Sequence, residues 1–215
     1  MLLWVLDAVA GAAIDETVVV VGHQAESVRS VLPHGVSAAL QAEQLGTGHA
    51  AAVGLAALEN APGDQIVVMP GDMPLVSAAT LRAMLATHVE SGAAATLLTA
   101  ELDEPRAYGR VIRARGAVKA IVEAKDATPE QLEVREVSTS VYVFEADYLP
   151  DALDRIGTDN AQGEYYLTDV VGILVADGRH VAGFVGDPAE GLGINSVDQV
   201  PGIEAILEAR GHVGR

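Results

Sequence analysis

A β-branched run, TVVVV at 17–21, and a continuous apolar run, IVVM at 66–69, leave few folds open to this chain. A strand with one wet face alternates polar and apolar side chains. A continuous β-branched run is instead covered on both faces, as in a parallel sheet held between helices. Each run ends at a strand-breaking residue, Gly22 after the first and Pro70-Gly71 after the second. Around them lie segments with helical spacing: 1–13, where Leu2, Leu6, Val9 and Ala13 share a face, then 25–32, 50–58 and 78–90. A weaker strand is predicted at 36–40, followed by a glycine-bearing loop at 45–48. Short strands alternating with helices predict parallel βαβ units.

The second half changes character. Residues 94–99, 109–112, 118–122, 134–144 and 180–185 read as strands, and 147–156, 165–176 and 197–208 as helices. No internal repeat, low-complexity tract or charged linker divides the chain. The expectation is a single domain over 1–215, an α/β three-layer sandwich of Rossmann-like layout with a mixed central sheet.

Half of the 215 residues are hydrophobic but only 4% are aromatic, so the core is built from Ala, Val, Leu and Ile. A formal charge of −17, with Lys119 and Lys125 as the only lysines, excludes a nucleic-acid groove and an anionic membrane surface. It leaves room for a small polyanion held by a metal ion and a few cations, and is otherwise a solubility feature. The absence of cysteine removes disulfides and thiolate metal sites and fits a cytoplasmic protein. The apolar opening lacks a basic flank and carries Asp7, so it reads as a buried-face helix and not as a secretory leader. No stretch reaches the roughly 18 apolar residues of a membrane span.

Chemistry concentrates where strands end, the usual ligand position in open α/β sheets. Asp72 follows the 66–69 run, with Gly71 permitting close backbone approach. A carboxylate there suits Mg²⁺ beside phosphate, although alone it reads as readily as a turn cap. In QAEQLGTGHA, Gly46 and Gly48 flank Thr47 ahead of a helix and offer free N–H groups, while Gln41 carries a donor and an acceptor able to read a pyrimidine edge. Alone, that loop is an ordinary helix start. Neither junction has the G-x-G-x-x-G spacing of a dinucleotide fold.

Taken in order, QAEQLGTGHA, GDMPL, YGRV, IVEAKDATPEQ and NAQGEYYLTDV resemble the N-acetylglucosamine-1-phosphate uridylyltransferases over nearly the whole chain. The resemblance implies a nucleotidyltransferase fold. It also implies transfer of UMP from UTP to N-acetylglucosamine 1-phosphate, giving pyrophosphate and UDP-N-acetylglucosamine, a peptidoglycan precursor. In bacteria this domain is commonly the N-terminal half of a bifunctional enzyme with an acetyltransferase behind it. The resemblance maps Mg²⁺ ligands onto Asp72 and Asn195, which makes these the catalytic pair. It maps a uracil-reading loop onto Gln41, Gly46 and Thr47, with Pro70 and Gly71 beside the nucleotide. The sugar side falls on the backbone of Gly109, on Glu123 and on Ser138. Residues 160–169 form the sugar-side loop without a definite role for any one side chain. His23 and His49 receive no role, because an attacking phosphate is already an anion and needs no general base.

Three departures stand out. The family's Asn-Thr-Gly is Ser138-Thr139-Ser140 here, and Pro70 replaces a residue that can be aromatic. The usual first strand and glycine-rich triphosphate loop have no counterpart in residues 1–16. A sheet without that strand is expected to leave an open slot and unpaired backbone groups, and a chain without that loop to turn over poorly. Neither the acetyltransferase repeats nor an oligomeric state can be read from these residues. A related sugar-phosphate nucleotidyltransferase and a non-catalytic UDP-sugar-binding or assembly module remain open alternatives at this point.

Overall fold

The computed structural model describes residues 1–59, 65–194 and 196–210. The first half runs α1 (Leu2–Gly11), β1 (Thr17–Val21), α2 (Ala25–Arg29), β2 (Val36–Leu40), α3 (Thr47–Ala56), β3 (Gln65–Val68) and α4 (Ala78–Ser91). The second runs β4 (Ala95–Glu101), β5 (Arg110–Ala114), β6 (Ala117–Val122), α5 (Pro129–Leu132), β7 (Glu136–Glu145), α6 (Leu149–Asp154), α7 (Asp169–Ala176), β8 (Val181–Val185) and α8 (Val200–Ala209). Short 3₁₀ turns at Pro188–Gly191 and Val197–Gln199 lead into α8.

The mixed character of the sheet comes from β7. It runs antiparallel to β4, β5 and β3, while β4 and β8 are parallel. Side chains alternate along β7, yet both faces are apolar because both are covered. Val141 and Val143 pack with Ala8 and Val9 of α1 and Leu81 and Met84 of α4. Tyr142 and Phe144 point the other way, onto Leu149 and Leu153 of α6 and Val170, Val171 and Leu174 of α7. Three layers follow from that alternation. A third cluster, Leu75, Ile194, Ile203 and Leu207, seats α8 beside Trp4 of α1.

The sheet is split. β1 and β2 form a parallel pair of their own, and among the described residues β1 is not paired with β3.

Two segments differ from expectation. The helix predicted over 165–176 begins only at Asp169, because the backbone of Tyr165 is engaged elsewhere: its N–H donates to Leu45 O at 2.8 Å and its carbonyl accepts from Gly48 N–H at 2.7 Å. Conversely, α5 was not anticipated, although Thr128 and Gln131 form a complete capping box around Pro129. No helix among the described residues is long and apolar enough to cross a membrane.

α4 carries a fully buried histidine. His88 meets Thr96 Oγ1 at 2.9 Å through Nδ1 and Glu145 Oε1 at 3.1 Å through Nε2. Burial pulls its pKa below the ordinary 6.5, and the Glu145 carboxylate offsets only part of that. Because the folded-state pKa lies below that of the unfolded chain, the stabilisation is complete above about pH 6.5 and is lost as pH falls through the depressed value. Urea midpoints measured between pH 8 and 5 should therefore decline with a component of up to about 1.4 kcal/mol per pH unit that His88→Gln removes. An unchanged slope in the variant would assign the decline to other groups.

Candidate active site

The gap between β1 and β3 is a trough of about 420 Å³. Val18, Val19 and Val20 line one wall, Ile66, Val67 and Val68 the other, and Val5, Leu6 and Val9 of α1 contribute from below. Its polar lining includes Thr47, Glu123, Ser140 and Thr168, and it takes in Pro70 and Gly71 where β3 gives way to a turn. Segments more than a hundred residues apart in sequence thus meet at one concavity.

The loop before α3 is braced from within. Gln41 Nε2 donates to Gly46 O at 3.1 Å and lies 3.1 Å from His49 Nδ1, so its amide hydrogens are engaged and Oε1 is left to accept from a ligand. His49, to which the sequence reading gave no role, orients Gln41. Thr47 does not cap its own helix. Its Oγ1 accepts from Leu167 N–H at 3.0 Å and fastens the loop to the 160–169 tract. Gly46 has φ 112° and ψ 179°, a conformation essentially reserved to glycine.

Asp72 follows Gly71 and is half-buried. Burial pushes its carboxyl pKa up, against a hydrogen bond from its own backbone. Among the described residues no Lys, Arg or His forms an ion pair with it. A desolvated carboxylate without a cation suits a hard divalent ion. No cluster of three or more His, Cys, Asp or Glu side chains among the described residues could hold a metal alone. Asp72 as a single protein carboxylate is compatible with Mg²⁺, which commonly takes one or two carboxylates and fills the rest of its shell with phosphate oxygens and water. Asn195, the second expected ligand, lies outside the described residues. Its neighbour Ile194 donates its N–H to Asp72 O at 3.0 Å.

Elsewhere in the lining of the trough, Thr168 donates to Glu123 Oε1 at 3.1 Å. Burial raises the Glu123 pKa, the Thr168 hydrogen bond opposes this, and Asp126 and Asp169 add to the rise. Gly109 backs this carboxylate: a Cβ there would stand 2.9 Å from Ile121 Cγ2 and 3.5 Å from both Glu123 oxygens. Arg110, only 3% exposed, turns its guanidinium onto the carbonyls of Arg106, Tyr108 and Leu132, clasping the loop that ends at Gly109.

The structure differs from the expectation for Ser138. This side chain is buried, its Oγ lies 3.1 Å from Tyr142 OH and accepts the Ser140 N–H at 3.3 Å. It stands behind the wall, while Ser140 lines the trough. The reason is an irregularity in β7. Thr99 pairs with Ser138 and Leu97 with Tyr142, so residues 139–141 all face the single residue Leu98.

Over residues 1–190 the sequence matches the nucleotidyl transferase family. The bifunctional protein GlmU of Pelotomaculum thermopropionicum is 48% identical over 212 residues, covering 98% of this chain and 46% of that protein. For the bifunctional protein GlmU of Geobacter metallireducens the figures are 46% over 219 residues, 100% of this chain and 45% of that protein. The chain thus spans about half the length of the curated relatives it matches. The structure of a UDP-glucose pyrophosphorylase complexed with UDP-glucose is similar in fold, with TM-score 0.74 at 15% identity over 97% of this chain and 87% of that one. By this match and the mixed α/β sandwich described above, the chain belongs to the nucleotidyl transferase family.

Proposed function

We propose that residues 1–215 form a nucleotidyltransferase domain that moves UMP from UTP to N-acetylglucosamine 1-phosphate, yielding UDP-N-acetylglucosamine and pyrophosphate. The reading is carried by one observation: Thr47, Gly71 and Glu123 converge on a single trough, next to a half-buried carboxylate that has no cation partner among the described residues. In the reaction a phosphate oxygen of the sugar phosphate forms a bond to the α-phosphorus. The α–β bridging P–O bond breaks, and pyrophosphate leaves with that electron pair. The attacking oxygen is already anionic, so the protein's work is positioning and charge neutralisation.

Each residue group then has a task. Gln41 Oε1 accepts from the uracil N3–H, with Gly46 and Thr47 shaping the loop around the base. Pro70 and Gly71 let the nucleotide approach the β3 end closely. Glu123, oriented by Thr168, accepts from sugar hydroxyls beside the Gly109 backbone. Asp72 and Asn195 would hold Mg²⁺, which would neutralise charge on the phosphoryl oxygens.

The deciding assay is pyrophosphate release from UTP and N-acetylglucosamine 1-phosphate, with and without Mg²⁺. Metal-dependent release supports the proposal. A folded chain that binds UDP-N-acetylglucosamine yet releases nothing would make it a UDP-sugar-binding module. A preference for another sugar phosphate would reassign the acceptor.

Glu123 also gives a pH signature. Burial lifts its pKa above the ordinary 4.5, so UDP-N-acetylglucosamine binding should weaken as pH falls through that raised value, where the acceptor becomes protonated. Calorimetry across pH 4.5–7.5 should show the inflection in the unaltered chain and none in Glu123→Gln. An inflection that persists in the variant would move the titration to another group.

A further inference from the structure

Ser140 is a non-glycine residue held at φ 62°. In this region a Cβ is strained, and only glycine enters it freely. The two residues beside Ser140 are fully or nearly fully buried, whereas Ser140 itself is exposed on the trough wall. The backbone is tied in place around it: Thr139 Oγ1 donates to Leu98 O at 3.0 Å, filling the acceptor that the β7 irregularity leaves open, and Ser140 N–H donates to Ser138 Oγ at 3.3 Å. A bulge that re-aims one side chain toward a site, held against strain by its neighbours, is a feature that an active site retains for a use. Glu123 and Thr168 line the same trough as Ser140.

We infer that Ser140 is a specificity-determining residue of the sugar side, its hydroxyl aimed by the β7 bulge to hydrogen-bond the sugar ring of the UDP-sugar alongside Glu123. This rests on the proposed function. It also reassigns to Ser140 the polar contact that Ser138, turned into the core, does not make.

Strain and recognition make opposite demands, and that separates them experimentally. Ser140→Gly relieves the backbone and removes the hydroxyl, while Ser140→Ala removes the hydroxyl and keeps the strain. Calorimetry with UDP-N-acetylglucosamine and with UDP, in buffer containing Mg²⁺, should show both variants binding the UDP-sugar roughly threefold to tenfold more weakly, the worth of one hydrogen bond. UDP affinity should stay unchanged, and only Ser140→Gly should raise Tm. Equal UDP-sugar affinity in all three chains, with a raised Tm in Ser140→Gly, would overturn the inference and leave a merely strained serine. A parallel loss for UDP would overturn it by moving the contact to the nucleotide. An unaltered chain that binds neither ligand would overturn the proposed function itself, and this inference with it.

Discussion

Asp72→Asn is expected to lower Mg²⁺-dependent pyrophosphate release by about a thousandfold while leaving the fold intact. The carboxylate sits half-buried with no cation partner among the described residues, and burial raises its pKa. Such a group is held against its own preference for water, as a metal-holding carboxylate is. Loss of an anionic ligand to a catalytic ion removes several kcal/mol of charge stabilisation, and about 4 kcal/mol corresponds to that thousandfold. Asparagine keeps the shape and removes the desolvated charge, so Tm should not fall. A second readout does not depend on turnover: Mn²⁺ paramagnetic resonance in the presence of UTP should show bound metal in the unaltered chain and little in the variant. Activity within tenfold of the parent, at unchanged Tm, would remove Asp72 from the metal site.

The second large effect concerns Gly46. A Cβ at this position would stand 2.7 Å from Tyr165 O, 2.9 Å from Tyr165 N and 2.9 Å from Glu164 Cβ. Two of these are backbone atoms held by the very hydrogen bonds that join the loop to the 160–169 tract, so they cannot step aside. The backbone conformation adds its own penalty. Gly46→Ala should therefore cost about 3 kcal/mol or more, a Tm drop of roughly 6–12 °C for a chain of this size. Nucleotide binding should fall with it, since Gln41 leans on the Gly46 carbonyl. Gly163→Ala is the control. It has φ 66° but open space around its Cβ, and should cost only about 1 kcal/mol. If the two variants melt together, the contact between loop and tract carries little of the stability.

How far the sequence foretold this molecule depends on the range of the forces involved. Residues 17–21 and 66–69 were readable as strands because a doubly covered strand needs apolar side chains on both faces, a local property. The capping box at Thr128 is equally local, its signal of Thr, Pro and Gln lying within residues 128–131. The start of α7 was not local. Residues 165–168 have helical spacing, and it is hydrogen bonds to Leu45, Thr47 and Gly48 that hold them out of the helix. Nor was His49 readable as a brace, because its partner is reached only when the loop turns back on itself. Ser138 and Ser140 make the same point most sharply. Strand periodicity puts them on one face, and only the pairing of β7 with β4 turns one inward and leaves the other on the trough wall.

The pair Tyr142 and Phe144 also bears on how folding of the chain is followed in solution. Both rings are buried, with centroids 5.4 Å apart and planes 22° from parallel. Fixed aromatic packing of this kind gives near-ultraviolet dichroism, which is lost when specific packing is lost even where helices and strands persist. With only 4% aromatic residues in the chain, that signal reports chiefly on the layer between β7 and the helices α6 and α7.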